Sequence, residues 1–523
     1  MALPDTPLTR GEVYLDAIAN SSSDVPTPLT REEEYLAAIA TGDTSGIPSA
    51  PLTRTEQYLD YIAQNGGGGG GGAVDPEADV RFFDPYDGSI VASYSAADFA
   101  NLSALPANPT HTGLTSQGWN WTLADAKEQV AWAGFLDIGQ QYVPTDGKTH
   151  LHVHLIEGAL SPKIGLQISG TVAVDWGDGS EASSQTGSNY ASKSFEHTYS
   201  APGDYDIKIS GGKHKFYGYN YGSYIFTPIS YGSSYNKNAV YLTAVQGIEL
   251  GPDAELGTRA FAICKGIKYI TIPSSLSVIG ENSFATSGIQ SVSIPSGVEI
   301  IPASCFSSSD LELVSIPKSA TSIKEYAFQS TNIVRCSLPK NVSQLLTSTF
   351  STCKRIKRFT IPQGVTALPA SFANACTIKE LSIPSNITSI GNSAFSASSL
   401  ISVRLNGDVI TIDESAFNAC DRLREIELPS TVTTLGKKAF YGCSAISHIS
   451  IPATVASIGT DCFNACNGIS ILKFLGPTPP TVGTSAFANL ASPCKILVPA
   501  GSLSDYTGTA NMPSSQSYTY EEY

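Results

Sequence analysis

Residues 426–443 read IELPSTVTTLGKKAFYGC. Ile426 and Leu428 alternate with Glu427, the period of a strand with one buried face. Pro429 ends that strand, because it has no N–H to give to a ladder. A turn then carries Val432 and Leu435 inward. The Ala439-Phe440 step starts a short helical or irregular return, with Phe440 as the largest core filler and Cys443 behind it. The same frame surrounds Phe261, Phe284, Phe306, Phe328, Phe350, Phe372, Phe395, Phe417, Phe440, Phe463 and Phe487, at spacings of 22–24 residues. An Ile-Pro or Leu-Pro step precedes most of them, at Pro273, Pro295, Pro317, Pro339, Pro362, Pro384, Pro429 and Pro452. A fixed period of this length means a stacked repeat array in which each unit buries its apolar face on its neighbours. With strands about 4.8 Å apart, the array is a rod or arc on the order of 50 Å long.

The outward strand position of successive units carries Thr271, Ser293, Ser315, Ser337, Thr360, Ser382, Arg404, Glu427, Ser450 and Lys473. A ladder of small hydroxyls with neither aromatic rings nor a charged patch reads as a solvated sheet, with a broad, weakly specific contact face as the alternative. All ten Cys lie beyond residue 263, and six follow a repeated Phe by three or four positions. That is a packing period and not a disulfide or metal spacing, so buried thiols are expected. Over residues 242–500 the pattern closely resembles the leucine-rich repeats of bacterial surface antigens (BspA-like). Gly407 departs from it, standing where Pro is expected, and the units after Pro477 read as a cap.

Charge divides the chain. It carries 31 Lys+Arg against 46 Asp+Glu, a net of −15. Residues 241–523 hold 19 of each sign, so the whole excess lies in residues 1–240. An acidic half and a neutral half exclude binding to nucleic acid through its phosphates and argue against an anionic membrane surface. Charged residues are only 15% of the chain, below the roughly 25% of an ordinary domain. The N-terminus lacks the basic-then-apolar order of a secretory signal, and no stretch is apolar enough to span a membrane. The expectation is a protein made soluble in a cytoplasm.

Residues 1–65 hold three copies of one motif, Pro7–Ala19, Pro28–Ala40 and Pro51–Ala63, each containing Pro-Leu-Thr-Arg-x-Glu-x-Tyr-Leu-x-x-Ile-Ala. Thr9 with Glu12, Thr30 with Glu33 and Thr53 with Glu56 are capping boxes. Each copy predicts a short amphipathic helix presenting Tyr14, Leu15 and Ile18, then Tyr35, Leu36 and Ile39, then Tyr58, Leu59 and Ile62. Helices this short are marginal alone. They read as tandem docking elements that gain avidity by repetition, or as a small cluster without a partner. Seven glycines at 66–72 form a flexible linker.

Residues 73–157 read as a small α+β domain, with Thr122-Leu-Ala-Asp125 as a helix start. His150, His152 and His154 alternate onto one strand face; neighbours two apart could share an ion, the outer two are too far apart to do so, and a polar strand face without metal is the preferred reading. Val172–Ser180 runs into a Trp-Gly-Asp-Gly turn, and His197-Thr-Tyr199 leads to Gly203-Asp-Tyr205. Residues 158–211 thereby resemble a polycystic-kidney-disease-type (PKD-like) β-sandwich, which implies a spacer or binding module. Asp175 and Asp178 are read as turn formers. In 212–241, Tyr217, Tyr219, Tyr221, Tyr224, Tyr231 and Tyr235 are interleaved with Gly, Ser and Asn. That composition suits an adaptable binding surface, with a hairpin packed on the first solenoid turn as the alternative. Residues 501–523 are a C-terminal tail.

The predicted class is a multidomain, mainly β protein. Short N-terminal helical repeats precede a small α+β domain, a PKD-like β-sandwich and a C-terminal leucine-rich-repeat solenoid. No nucleophile elbow, phosphate loop, paired metal set or recognisable catalytic dyad is present, so the expectation is no enzyme and no cofactor. The N-terminal repeats followed by poly-Gly resemble N-termini of fibre and tail-associated proteins of bacteriophages of gut bacteria. The resemblance implies a virion fibre or receptor-binding protein. The repeats would dock on other virion structural proteins, the β domains would touch a host-surface glycan or protein, and a fibre would imply a trimer. The alternatives are a bacterial cell-surface adhesin and a decorative virion spacer without a receptor.

Overall fold

The computed structural model describes residues 74–219, 222–223, 227–228, 243–514 and 518–523. The expected helical repeats of 1–65, the poly-Gly linker and most of the aromatic segment lie outside these residues. The described protein is mainly β, with three short helices.

The first unit contains β1 (Val80–Phe83), β2 (Ile90–Tyr94), α1 (Ala96–Ala100), β3 (Leu114–Trp119), α2 (Leu123–Ala133) and β4 (Leu136–Pro144). Its sheet order is β2-β1-β4-β3, with β1 and β4 parallel. Thr122 caps α2 by accepting from the Asp125 N–H, and Gly134 ends it in the left-handed conformation. Val80, Phe82, Phe99, Val130 and Ile138 form its own small core.

Next come β5 (Thr149–Leu155), β6 (Pro162–Asp175), β7 (Ser183–Glu196) and β8 (Gly203–Phe216). Short pieces follow at β9 (Gly218–Tyr219), β10 (Gly222–Ser223) and β11 (Thr227–Pro228), then β12 (Val245–Glu249), β13 (Ala254–Leu256) and β14 (Tyr269–Thr271). β5 pairs with β8 and β12, so sheet pairing places it with the second unit rather than the first, whose last strand ends at Pro144. Trp176 is buried against His197 and Tyr199, whose hydroxyl donates to the Trp176 carbonyl at 2.8 Å. Asp175 and Asp178 accept from the N–H groups of Gly177 and Ser180, as turn formers do.

One sheet carries the chain from this unit into the solenoid. β12 runs antiparallel to β5 and parallel to β14. The first turns of the array therefore have no open edge where they would otherwise be most exposed to unwanted pairing. Two columns of short parallel strands follow, one from Ser291–Ser293 to Cys494–Val498 and one from Ile300–Ile301 to Thr481–Val482. At the far end Leu503–Gly508 is a helix (α3). Tyr518–Glu522 adds a last strand beside Cys494–Val498, so part of the expected tail is a cap.

The repeated Phe side chains stack in one column, with Phe306 5.4 Å from Phe284 and Phe463 5.2 Å from Phe440 between ring centres. Phe216 of β8 begins it, 5.1 Å from Phe261. The column turns edge-on at Phe372, because Phe359 stands at a strand position held by Cys336 in the preceding unit and by aliphatic residues in the others. Its ring stacks on Phe350 and meets Phe372 at 89°.

The return, expected to be helical or irregular, is a turn built on left-handed residues. Around Phe306 these are Ser304 (φ 53°) and Ser308 (φ 59°). The N–H groups of Ser304, Phe306 and Ser308 donate to Glu325, Ala327 and Gln329 of the next unit at 2.8–2.9 Å. Left-handed backbone costs a non-Gly residue about 1–2 kcal/mol, and this ladder offsets it. All ten Cys are buried and none is in a disulfide. The Cys443 thiol donates to the Phe417 carbonyl of the preceding unit, and Cys466 likewise to Phe440.

Candidate interaction surface

The proline of each unit has a second consequence. In the parallel ladder, the residue just after each strand donates its N–H to the last strand carbonyl of the preceding unit, as Asn406 does to Ile383 and Leu475 to Ile451, both at 2.9 Å. Asn406, not Gly407, thus fills the position held elsewhere by Pro. Where Pro stands there, the donor is missing and the preceding carbonyl is left over.

The first unit fills several of these acceptors. Asn120 donates its side-chain N–H to the Ile294 carbonyl at 3.0 Å, Trp121 its indole N–H to Ile316 at 3.0 Å, and Gln129 to Leu338 at 2.9 Å. These carbonyls are the ones freed by Pro317, Pro339 and Pro362. Gln129 also donates to the Ser337 hydroxyl, and Ser315 lies 2.8 Å from both Asn120 Oδ1 and the Asp137 carbonyl. The hydroxyl ladder is accordingly not a solvated sheet over its first half. Thr271, Ser293, Ser315, Ser337 and Thr360 are all at most 8% exposed.

Charge completes the interface. Asp137 of β4 is fully enclosed, and Arg81 and the solenoid residue Arg335 each approach it to 2.7 Å. Burial pushes its carboxyl up, but the two guanidinium groups outweigh that and hold it at about 2. Around it Lys318 pairs with Asp125, Lys340 with Glu128, and Arg358 with Asp79. Arg358 also lies over the Phe135 ring, 4.2 Å from its centre. The sequence signal for this half was the outward position two residues before the hydroxyl ladder. It carries Tyr269, Arg335 and Arg358, each of which meets the first unit. Nothing in sequence marked Asn120, Trp121 or Gln129 as their partners.

Beyond Thr360 the same face is open. Ser382, Arg404, Glu427 and Ser450 are exposed, and a groove of about 850 Å³ runs across these strands. Arg404, Arg424, Glu380, Glu425 and Glu427 line it and make no ion pair among the described residues. Pro384, Pro429 and Pro452 free the carbonyls of Ile361, Leu405 and Leu428, and no donor meets these among the described residues. The open half therefore repeats the acceptors of the covered half, with mixed charge in place of the Lys318, Arg335 and Lys340 clamp.

Of the residues expected to bind partners, Tyr217 is half-buried and Tyr219 lies in β9, paired with Gly222. Tyr221, Tyr224, Tyr231 and Tyr235, and all nine residues of the N-terminal repeats, lie outside the described residues. His150, His152 and His154 point to carboxylates: His150 to Asp146 and Asp206, His152 to Glu249, His154 to Asp204. Among the described residues, no His, Cys, Asp and Glu group is arranged to hold a metal ion, and no helix is long and apolar enough to cross a membrane.

Residues 254–372 and 369–495 match the BspA type leucine rich repeat region, so the C-terminal solenoid carries BspA-type repeats. No curated protein matches the chain. Among solved structures, a leucine-rich repeat protein from Bacteroides ovatus is 22% identical over 53% of this chain and 76% of its own, with a TM-score of 0.40. The pneumococcal vaccine antigen PcpA is 19% identical over 56% of this chain and 83% of its own, also at 0.40. A leucine rich cell surface protein from Faecalibacterium prausnitzii is 22% identical over 44% and 77%, at 0.29.

Proposed function

We propose that this chain, with BspA-type leucine-rich repeats in its C-terminal half, is a non-enzymatic attachment protein that holds a partner on the open half of its solenoid face. The observation that carries this reading is the division of that face. One half is sealed by side-chain N–H donors and ion pairs from the chain's own first unit. The other keeps the same proline-freed carbonyls, with unpaired charges of both signs around them. A fitting partner presents hydrogen-bond donors, as the amides of a protein or the hydroxyls of a glycan do.

The placement we propose is a bacteriophage virion, on the resemblance of the N-terminal repeats to fibre and tail-associated proteins. Those repeats would dock on the particle. Residues 158–211 would act as a PKD-like spacer, which the buried Trp176 and the His197–Tyr199 contacts support. The open face would meet the host surface.

The test is adsorption of purified chain to intact gut bacteria, with and without Arg404→Glu and Arg424→Glu. Saturable binding to at least one strain, weakened about tenfold or more at unchanged melting temperature, is expected, which is about 1.4 kcal/mol. Binding that ignores both substitutions overturns the assignment of the face. For the placement, peptides of this chain should appear in purified virions, and their absence overturns it.

A further inference from the structure

Three parts of the molecule meet at one cluster of titratable side chains. From the first unit come Asp84, Tyr86, Asp87, His111 and Tyr142. Asp146 lies in the turn that leaves that unit. β5 and β8 bring His150, His152, Asp206 and Lys208, and the first solenoid strands bring Glu249 and Tyr269. His111 Nε2 lies 2.7 Å from the buried Asp84, which also accepts from the Tyr142 hydroxyl at 2.8 Å and the Tyr86 N–H at 2.9 Å. The His111 ring stacks on Tyr86 at 4.2 Å, and Tyr86 meets Tyr269 of the solenoid at 4.5 Å. His150 stands between Asp146 and Asp206, 3.0 Å from each through opposite ring nitrogens. His152 lies 3.1 Å from Glu249 and 3.5 Å from Asp206. Lys208 also reaches Asp206, at 3.5 Å.

We propose that this junction is a histidine latch, which pins the turn leaving the first unit to the sheet of the second on acidification and releases that turn as pH rises. A ring that touches carboxylates through both nitrogens satisfies both only when both nitrogens carry protons. His150 is in that position, joining the turn that leaves the first unit to the sheet of the second. The hydrogen bond that His111 gives to the Asp84 carboxylate raises the His111 pKa, and burial opposes it less strongly. For His150, burial alone would lower the pKa, but Asp206 and Asp146 together raise it. A raised histidine contributes stability that is complete below its unfolded value near 6.5 and fades as pH climbs through the folded value. The latch is thus closed in mild acid and weakened above neutrality.

Trypsin tests this on the full chain, because Lys148 lies in the turn beside Asp146. Its cleavage rate, divided by that of an unstructured peptide of residues 140–156, should rise on the order of tenfold between about pH 6 and pH 8.5. In His150→Gln the ratio should barely change with pH. An equal rise in both proteins overturns the proposal. Should the variant not fold, deuterium exchange at the imidazole C2 of His150 in the natural protein decides. A midpoint above about 6.5 supports the latch, and one at or below it refutes it.

Discussion

Asp137 shows how much one enclosed charge can organise. It sits in β4, accepts from Arg81 of the neighbouring strand and from Arg335 of the solenoid, and leaves neither guanidinium unpaired. Asp137→Asn would strand two buried cations, and a loss of about 3–5 kcal/mol in denaturant unfolding is expected, because breaking a buried pair costs far more than the pair contributes. The pH sign follows from its lowered pKa. Its contribution is present above the ordinary carboxylate value near 3.9 and is lost as pH falls toward about 2. Acid unfolding monitored across that window should be flattened by the same substitution. Gly139 is a second residue-scale test. A Cβ there would lie 2.6 Å from Cβ of Ser293, so the first unit and the solenoid can approach this closely only without one. Gly139→Ala should separate the two, raising protease sensitivity of residues 74–144 while leaving the solenoid folded.

At the scale of elements, the repeat was legible because its chemistry is local. A branched apolar pair, a proline and a phenylalanine recur at fixed spacing, and each has one physical job. The form of the return was not legible. Ser, Ala and Thr after Phe look compatible with a helical turn. The left-handed pairs become worthwhile only when the next unit supplies carbonyls, and a single unit does not contain that information. The Phe column predicts that Phe440→Ala, which removes a ring stacked on both sides at 5.2–5.4 Å, costs about 3–5 kcal/mol. Burial also raises several of the thiols, Cys420 to about 11 and Cys466 to about 12. Since all ten Cys are buried away from solvent, none should react with an aromatic disulfide reagent in the folded protein, and all ten should react in denaturant.

For the whole molecule, the charge imbalance has a structural meaning in part. Asp79, Asp125, Glu128 and Asp137 of the acidic half sit on Lys318, Lys340, Arg335 and Arg358 of the solenoid face. The sequence showed an acidic and a neutral half but not that one folds onto the other. That contact joins residues about two hundred positions apart and leaves no periodic trace. The solenoid face itself was readable as a hydroxyl ladder. Its division into a covered and an open half was not, because the cover comes from Asn120, Trp121 and Gln129 on and beside one helix. The continuity of β5, β12 and β14 was hidden for the same reason, since pairing across the second unit depends on where β8 ends.

The most direct test is residue-by-residue arginine modification by a dicarbonyl reagent, followed by mass spectrometry, on free protein and on protein bound to intact bacteria. Arg81 and Arg335 should be protected in both states, while Arg404 and Arg424 should react readily in free protein and become protected on cells. Modification of Arg335 as fast as Arg404, or equal reactivity of Arg404 and Arg424 with and without cells, would contradict a solenoid face half sealed by its own chain and half open for a partner.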